Sequence, residues 1–236
     1  MLYFRKPIGT VGYMGGVPVV MEEFCWSLAQ MIQYGHEYLC QPYEYVHLDR
    51  APMSYHSTAR NYLSARVLGD WLLMLDTDHA FGPDLLGRMV GLLQKHSLDV
   101  LTAVYRYRVP PYFPNLFRWN EEMGAYMTVA ELDWSQPLRQ MDCFGAGTML
   151  VRRTVFDRIR REMKQEPFNV ADAPNGAQFS EDFSFIWRCR QLGIKTWVSP
   201  MIESVHLRVH GVTHADYQRD QVQTVPMPEG GELVRG

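Results

Sequence analysis

The segment DWLLMLDTDHAFG, residues 70–82, places two carboxylates directly after a run of five apolar residues. The apolar run predicts a buried strand, and Asp76 and Asp78 follow it with one residue between them. Two carboxylates at close range repel each other, and a bound divalent cation commonly neutralises this repulsion. Their oxygen atoms suit Mg²⁺ or Mn²⁺, which can bridge to phosphate oxygens. The alternative is that Asp78 or its neighbour caps the helix that follows Pro83.

A second acidic pair opens the amphipathic stretch FSFIWRCRQLG, where Ser180, Glu181 and Asp182 precede the first apolar residue. Acidic residues in the first turn of a helix interact favourably with the helix dipole, and Ser180 is a suitable N-cap for such a turn. The functional interpretation is that one of the two carboxylates takes the proton from an acceptor hydroxyl. Both interpretations place the pair at the start of a helix.

Helices and buried strands alternate along the part of the chain that must position these residues. The expected order is a helix over 17–35 ending at Gly35, a strand over 42–48, a helix over 54–69, a strand over 71–76, a helix from Pro83 and a strand over 99–107. This alternation predicts an α/β fold with a mostly parallel sheet, in which ligands collect at the carboxyl ends of the strands. We expect one domain over 1–217 and a polar, flexible tail over 218–236.

The composition narrows the class of protein. The 236 residues are 47% hydrophobic, enough for one sizeable core, and the net charge of −3 gives no global case for binding nucleic acid or an anionic membrane. No apolar run approaches the roughly 18–20 residues of a membrane span, and the N-terminus lacks the pattern of a secretory signal. None of the four cysteines forms a CxxC pair, which favours reduced thiols in a cytoplasmic protein.

Four segments, in order along the chain, resemble the GT-A type of nucleotide-sugar-dependent glycosyltransferase, close to family 2 and its phage and bacterial relatives. The segments are STARNYL (57–63), LMLDTDHAF (73–81), GAGTMLVRRTVFDRI (145–159) and SEDFSFIWRCRQLGIKTWVSP (180–200) with VHLR (205–208). The resemblance implies a Rossmann-like GT-A fold, with a mostly parallel central sheet flanked by helices in a single domain. It also implies transfer of a sugar from a nucleoside-diphosphate sugar to a hydroxyl group.

The resemblance assigns a metal site to the first acidic pair. Asp76 and Asp78 would hold Mn²⁺ or Mg²⁺ on the diphosphate of the donor, with Asp78 as the direct ligand. His206 resembles the third ligand, which follows the last core strand in such enzymes, and imidazole suits Mn²⁺. His210 and His214 lie close by in the sequence, so the choice among the three histidines stays open.

The resemblance also assigns the catalytic base and the residues that bind the donor. Asp182 is the favoured base and Glu181 the second choice, while an inverting or a retaining outcome stays open. Other residues implied in donor binding are Arg60, Asn61, Asp76, Asp142, Gly145 and Gly147. Arg60 could instead be an ordinary surface arginine, Asn61 a local cap, and the two glycines part of a bulge or tight turn.

Two segments resist assignment. Residues 105–119 (YRYRVPPYFPNLFRW) mix Arg106, Arg108 and Arg118 with aromatic residues, which suits either stacking on sugars and bases or a loop that tucks its rings into the core. The first strand, PIGTVGYM, is short for the family, and the glycines around it match no phosphate-binding motif. A UDP-sugar is the favoured donor, although the base cannot be assigned from this end of the chain.

Three rival functions share some of these features. A nucleotidyltransferase would carry a basic, glycine-rich loop after the first strand, and residues 9–16 contain no Arg or Lys. A phosphatase with an aspartate nucleophile would place the pair after its first strand. A sugar- or nucleic-acid-binding module on the same fold is the third alternative. The acceptor stays open among a small molecule, a glycan, a protein and a modified DNA base, and we expect no membrane span.

Overall fold

The computed structural model describes residues 5–14, 21–52 and 55–208. Its helices are α1 (Glu22–Leu39), α2 (His56–Ala65), α3 (Leu85–Lys95), α4 (Arg153–Arg158), which continues as a π-helical turn over Ile159–Met163, and α5 (Glu181–Gln191). None of these described helices combines the length and apolarity needed to cross a membrane. The expected tail over 218–236, together with His210 and His214, lies outside the described residues.

The strands of the described residues form one large sheet and two small ones. They are β1 (Lys6–Met14), β2 (Glu44–Ala51), β3 (Trp71–Leu75), β4 (His79–Ala80), β5 (Val100–Val104), β6 (Leu116–Asn120), β7 (Ala125–Thr128), β8 (Arg139–Met141), β9 (Cys143–Phe144), β10 (Thr148–Arg152), β11 (Thr196–Glu203) and β12 (Val205–His206). Within the described residues the large sheet has seven strands in the order β2-β1-β3-β10-β5-β11-β8. Only β10 and β8 run antiparallel to their neighbours, so the predicted α/β fold with a mostly parallel sheet is confirmed.

Both faces of the large sheet are covered, and β3 shows why this strand is apolar throughout. Leu72 and Met74 point into a core that includes Leu63 of α2 and residues of α4 and α5. Their neighbours Leu73 and Leu75 point to the opposite side, into a core formed with α1 and α3. A strand between two helical layers has no solvent-facing side, so it needs an unbroken apolar run instead of an alternating one.

The predicted end of the first helix at Gly35 is wrong, because α1 continues to Leu39. Gly35 is buried, and a Cβ atom built on it would lie 2.9 Å from a methyl group of Leu86 on α3. This glycine therefore allows two helices to pack closely and does not end the helix.

The topology brings four chain segments to one edge of the large sheet. β3 and β5 end at this edge, and the residues that follow them are Asp76 and Tyr105. The antiparallel strand β10 begins there, immediately after Gly147. β11 ends there as well, and it leads into β12, which pairs with β4 so that His206 lies opposite His79. Both predicted metal-binding segments therefore lie at the same edge.

Candidate functional site

Arg60 on α2 connects three segments at this edge. Its Nη2 donates to Oδ1 of Asp76 at 2.9 Å, its Nη1 donates to the carbonyl oxygen of Ala146 at 3.1 Å, and its Nε lies 3.4 Å from Oε1 of Glu181. The side chain of Arg60 is only 3% exposed, so it is not the surface arginine of the alternative interpretation. The structure thus brings together Arg60, Asp76 and Glu181, three of the residues expected in the site.

The charge of the Arg60 guanidinium depends on these carboxylates. Burial by itself would lower the pKa of Arg60, but the negative charges of Asp76 and Glu181 hold that pKa above its ordinary value. Arg60 therefore stays a cation, and its contacts fix the carboxylate after β3 relative to the carboxylate at the start of α5.

Asp78 lies in a separate cluster with His79 and His206, and one ligand atom from each residue lies within 4.8 Å of the others. Oδ1 of Asp78 is 3.8 Å from Nε2 of His79, and Oδ2 is 3.7 Å from Nε2 of His206. Oδ2 also accepts a hydrogen bond from Nη2 of Arg108. The structure places His206 beside Asp78 as expected, while Asp76 contacts Arg60 and is not part of this cluster.

Hydrogen bonds orient both imidazole rings. Nδ1 of His206 lies 2.9 Å from the carbonyl oxygen of Arg106, which can only accept, so Nδ1 carries the proton and Nε2 presents a lone pair to Asp78. Nδ1 of His79 lies 2.8 Å from the hydroxyl of Ser204. Burial lowers the pKa of His79 to about 4 and also lowers the pKa of His206, so both rings are neutral at pH 7.

The donor set fits a divalent cation. Oδ1 of Asp78 and Nε2 of His79 are both buried, and neither has a hydrogen-bond partner among the described residues. Buried polar atoms without partners are costly, and a cation would serve both. Ligand atoms on one cation lie about 3–4 Å apart because each bond is about 2.1 Å long, and the two carboxylate–imidazole distances of 3.8 and 3.7 Å fall in that range. One carboxylate and two neutral imidazoles can bind a divalent transition-metal cation, and Mn²⁺ is one of these.

The glycines before β10 leave room for two rings. A Cβ atom on Gly147 would lie 2.6 Å from Nε2 of His79, and one on Gly145 would lie 2.1 Å from the hydroxyl of Tyr105. That hydroxyl accepts hydrogen bonds from the backbone N–H of Gly147 and from the Asn115 side chain. Gly145 and Gly147 are therefore required by packing, and their expected role in donor binding stays a prediction.

Asp182 and Glu181 begin α5 and differ in their surroundings. Glu181 is paired with Arg60, whereas Oδ1 of Asp182 accepts hydrogen bonds from the Ser180 hydroxyl and the backbone N–H of Phe183. Burial raises the pKa of Asp182, and the charge of Glu181 raises it further. A carboxylate with a raised pKa is a stronger base than an exposed one, as proton abstraction requires.

Two of the expected donor-binding residues have other partners. The carboxamide of Asn61 donates to Oδ1 of Asn169 at 3.0 Å and accepts from the backbone N–H of Phe168 at 2.9 Å. Asp142 accepts from the backbone N–H of Trp119 at 3.1 Å. Within the described part of the chain, neither side chain hydrogen-bonds to the cluster around Asp78, and the role of both residues in donor binding stays a prediction.

The sequence interpretation missed two residues of the site, His79 and Arg108. His79 directly follows Asp78, but its role depends on the pairing of the two-residue strands β4 and β12. Arg108 belongs to residues 105–119, for which the sequence allowed two interpretations, a stacking surface or a loop packed into the core. Its contact with Asp78 joins residues that are 30 positions apart, and nothing in the local pattern indicates it.

The comparisons with known proteins agree with this architecture. The family profile described as "Glycosyl transferase family 2" matches residues 30–160, more than half of the chain. The solved structure of GalNAc-T7 with UDP, GalNAc and Mn²⁺ has a TM-score of 0.60 at 11% identity, over 87% of this chain and 43% of that chain. A197 from STIV has a TM-score of 0.51 at 13% identity, over 87% of this chain and 98% of that chain.

At these identities the two structures show similarity of fold alone, and the GT-A prediction is confirmed at that level. This chain spans less than half of GalNAc-T7. No curated protein matches the sequence.

Proposed function

The chain belongs to glycosyl transferase family 2, and from this we propose that it is a metal-dependent glycosyltransferase. The reaction moves a sugar from a nucleoside-diphosphate sugar to a hydroxyl group of an acceptor. A UDP-sugar is the favoured donor, because the fold resembles that of GalNAc-T7, which was solved with UDP and Mn²⁺.

One observation carries this proposal. Oδ1 of Asp78 and Nε2 of His79 are buried, without hydrogen-bond partners in the described residues, and 3.8 Å apart at the carboxyl edge of a parallel sheet. Together with Nε2 of His206 they would hold Mn²⁺ or Mg²⁺. When bound, such a cation neutralises charge on the diphosphate as the sugar departs.

The remaining residues have roles on the protein side. The cationic Arg60 holds Asp76 and Glu181 at the sheet edge and limits the repulsion between the carboxylates that meet there. Ser204 and the carbonyl group of Arg106 hold the two imidazoles with their Nε2 atoms on the side of Asp78. These contacts arrange the site before any substrate arrives, which lowers the cost of binding.

We assign the proton transfer to Asp182. The acceptor oxygen forms the new bond to the anomeric carbon, the bond from that carbon to the diphosphate oxygen breaks, and the nucleoside diphosphate leaves with the electron pair. Asp182 receives the proton of the acceptor hydroxyl. Glu181 is the weaker candidate because its carboxylate is paired with Arg60.

We also propose a cytoplasmic location, because all four cysteines are free thiols and thiols stay reduced in the cytoplasm.

The experiment is a thermal-shift panel of UDP- and GDP-sugars, each with Mn²⁺ and with EDTA, followed by a transfer assay on candidate acceptors. A ligand that binds the native state at a concentration of 100 Kd adds about 3 kcal/mol to the free energy of unfolding, and this added stability raises Tm. A shift that needs Mn²⁺ and is lost in Asp78→Ala, but kept in the surface variant Asp84→Ala, supports the proposal. A shift with nucleoside triphosphates or DNA alone would contradict it.

A further inference from the structure

The carboxylate of Asp78 is shared between a cation of the protein and the candidate metal centre. Oδ2 of Asp78 accepts a hydrogen bond from the Arg108 guanidinium and lies 3.7 Å from Nε2 of His206. A divalent cation held by Asp78 and His206 would need the negative charge that Arg108 now neutralises. Arg108 and the cation therefore compete for Asp78.

Arg108 and His206 also form part of the wall of a cavity of about 270 Å³. Two further arginines, Arg106 and Arg208, lie in the same wall, and Glu203 is the one carboxylate among its described lining residues. Three guanidinium groups against one carboxylate give the cavity a net positive charge. Its chemistry suits a polyanion, and its position beside His206 places that polyanion next to the metal centre.

Arg108 differs from the other two arginines in the partner of its guanidinium, which is the carboxylate of a candidate metal ligand. Arg106 donates to the carbonyl oxygen of Tyr112 and lies over the ring of Trp134, and Arg208 donates to the carbonyl oxygen of Arg108 at 3.0 Å. The Nε–H of Arg108 is buried and has no partner in the described part of the chain. Its guanidinium group therefore has a buried donor that the contact with Asp78 does not use.

The backbone around Arg108 is held in place while its side chain is long enough to move. The carbonyl oxygen of Arg106 accepts from Nδ1 of His206, and the carbonyl oxygen of Arg108 accepts from Arg208. Both anchors lie in the segment after β11, which also carries the candidate metal ligand. The guanidinium can therefore turn from Asp78 into the cavity without moving the loop.

We propose that Arg108 is a diphosphate-binding residue that competes with the divalent cation for Asp78, so that cation and nucleoside diphosphate bind cooperatively. When a cation binds the carboxylate of Asp78, the Arg108 guanidinium loses its partner. A diphosphate in the cavity then supplies new acceptor oxygens for this guanidinium. By linkage, each of the two ligands then raises the affinity for the other. This inference rests on the proposed function, since it assumes that the site binds a nucleoside diphosphate with a metal.

The test compares wild type with Arg108→Ala, Arg108→Lys and the matched control Arg139→Ala. Arg139 forms a similar, partly exposed ion pair with Asp133, away from the site. Mn²⁺ binding without nucleotide is measured by electron paramagnetic resonance. The affinities for UDP and for GDP are measured by equilibrium dialysis at saturating Mn²⁺.

We expect Arg108→Ala to bind Mn²⁺ about 2- to 5-fold more tightly than wild type. We expect it to bind the preferred nucleoside diphosphate about 10- to 100-fold more weakly, with Arg108→Lys between the two and Arg139→Ala unchanged. Loss of folding would weaken both affinities, so only the opposite changes support the proposal.

Two results overturn the inference while leaving the proposed function intact. In the first, both affinities of Arg108→Ala equal those of wild type; in the second, they fall together. A wild-type protein that binds neither Mn²⁺ nor a nucleoside diphosphate would overturn both the inference and the proposed function.

Discussion

Arg60 and Asp76 form an ion pair at the carboxyl end of β3, with 2.9 Å between Nη2 and Oδ1. The same guanidinium contacts Glu181, 121 residues further along the chain. One buried cation thus ties the end of a central strand to the start of the helix that carries the proposed base. The site depends on this contact for its shape as well as for its charge.

We expect Arg60→Met to lower the free energy of unfolding by about 3–5 kcal/mol, because it leaves two carboxylates at the sheet edge without their cation. Arg60→Lys keeps the charge but cannot make all three contacts, so its loss should be smaller. Urea denaturation measures both. The control is Arg66→Met, directly after the end of α2, whose ion pair with Asp49 is exposed on the arginine side. Equal losses at Arg60 and Arg66 would contradict the bridging role.

Asp78→Asn should remove Mn²⁺ binding and lower turnover by at least about 100-fold, because the amide loses the charge that a cation requires. Asp78 is partly exposed and its ion pair with Arg108 lies at the surface, so we expect Tm to change by no more than about 3 °C. Isothermal calorimetry with Mn²⁺ and a thermal melt separate the two effects. The control is Asp84→Asn, and wild-type turnover in Asp78→Asn would refute the assignment.

The sequence predicts the elements that depend on local patterns, and it does not predict the contacts between residues far apart in the chain. The apolar run of β3 and the helical spacing of Leu86, Met89 and Leu93 in α3 are local patterns, and both elements form where expected. The carboxylates at the end of β3 follow from the same pattern, since strand ends of parallel sheets collect at one edge.

The remaining contacts of the site depend on pairings between distant segments. His79 joins the cluster because β4 and β12 pair over two residues each, a length too short to give a periodic signal. Arg108 contacts Asp78 from an irregular loop. Glycine is a common helix-ending residue, but α1 continues through Gly35. In each case a tertiary contact outweighs the local preference.

The stability of the protein should depend on pH through His79. Burial lowers its pKa to about 4, below the ordinary value of 6.5, so between these values the unfolded chain binds more protons than the folded one. This contribution to stability is present above pH 6.5 and is lost as the pH falls towards 4.

In EDTA we expect His79 to account for a loss of about 2 kcal/mol between pH 7 and pH 5. Urea denaturation at both pH values should show a smaller loss in His79→Gln than in wild type. His36→Gln, an exposed histidine on α1, is the control and should behave like wild type. An unchanged pH dependence in His79→Gln would show that other groups cause it.

Gly147→Ala should disturb the metal centre through His79. The added methyl group would lie 2.6 Å from Nε2 of this ring and 3.1 Å from Cζ of Tyr105, so the His79 ring or the backbone at residue 147 must shift. We expect a loss of about 1–3 kcal/mol in the free energy of unfolding and weaker Mn²⁺ binding. Gly91→Ala on α3 is the control, since its Cβ would have open space around it. Wild-type Mn²⁺ affinity in Gly147→Ala would place the metal away from His79.

Asp182→Asn should slow the chemical step while leaving donor binding nearly unchanged. The amide keeps the size of the carboxylate and can still accept from the backbone N–H of Phe183, but it cannot take a proton. We expect kcat to fall by about 10²- to 10⁴-fold with little change in the affinity for the sugar nucleotide.

The pH profile provides the independent readout. Burial and the charge of Glu181 raise the pKa of Asp182, so the activity should fall on the acid side at a pH above the ordinary pKa of an aspartate. Removing the charge of Glu181 in Glu181→Gln should lower that pKa and move the acid limb to lower pH. An acid limb that stays in place in Glu181→Gln, together with full kcat in Asp182→Asn, would assign the base to another group.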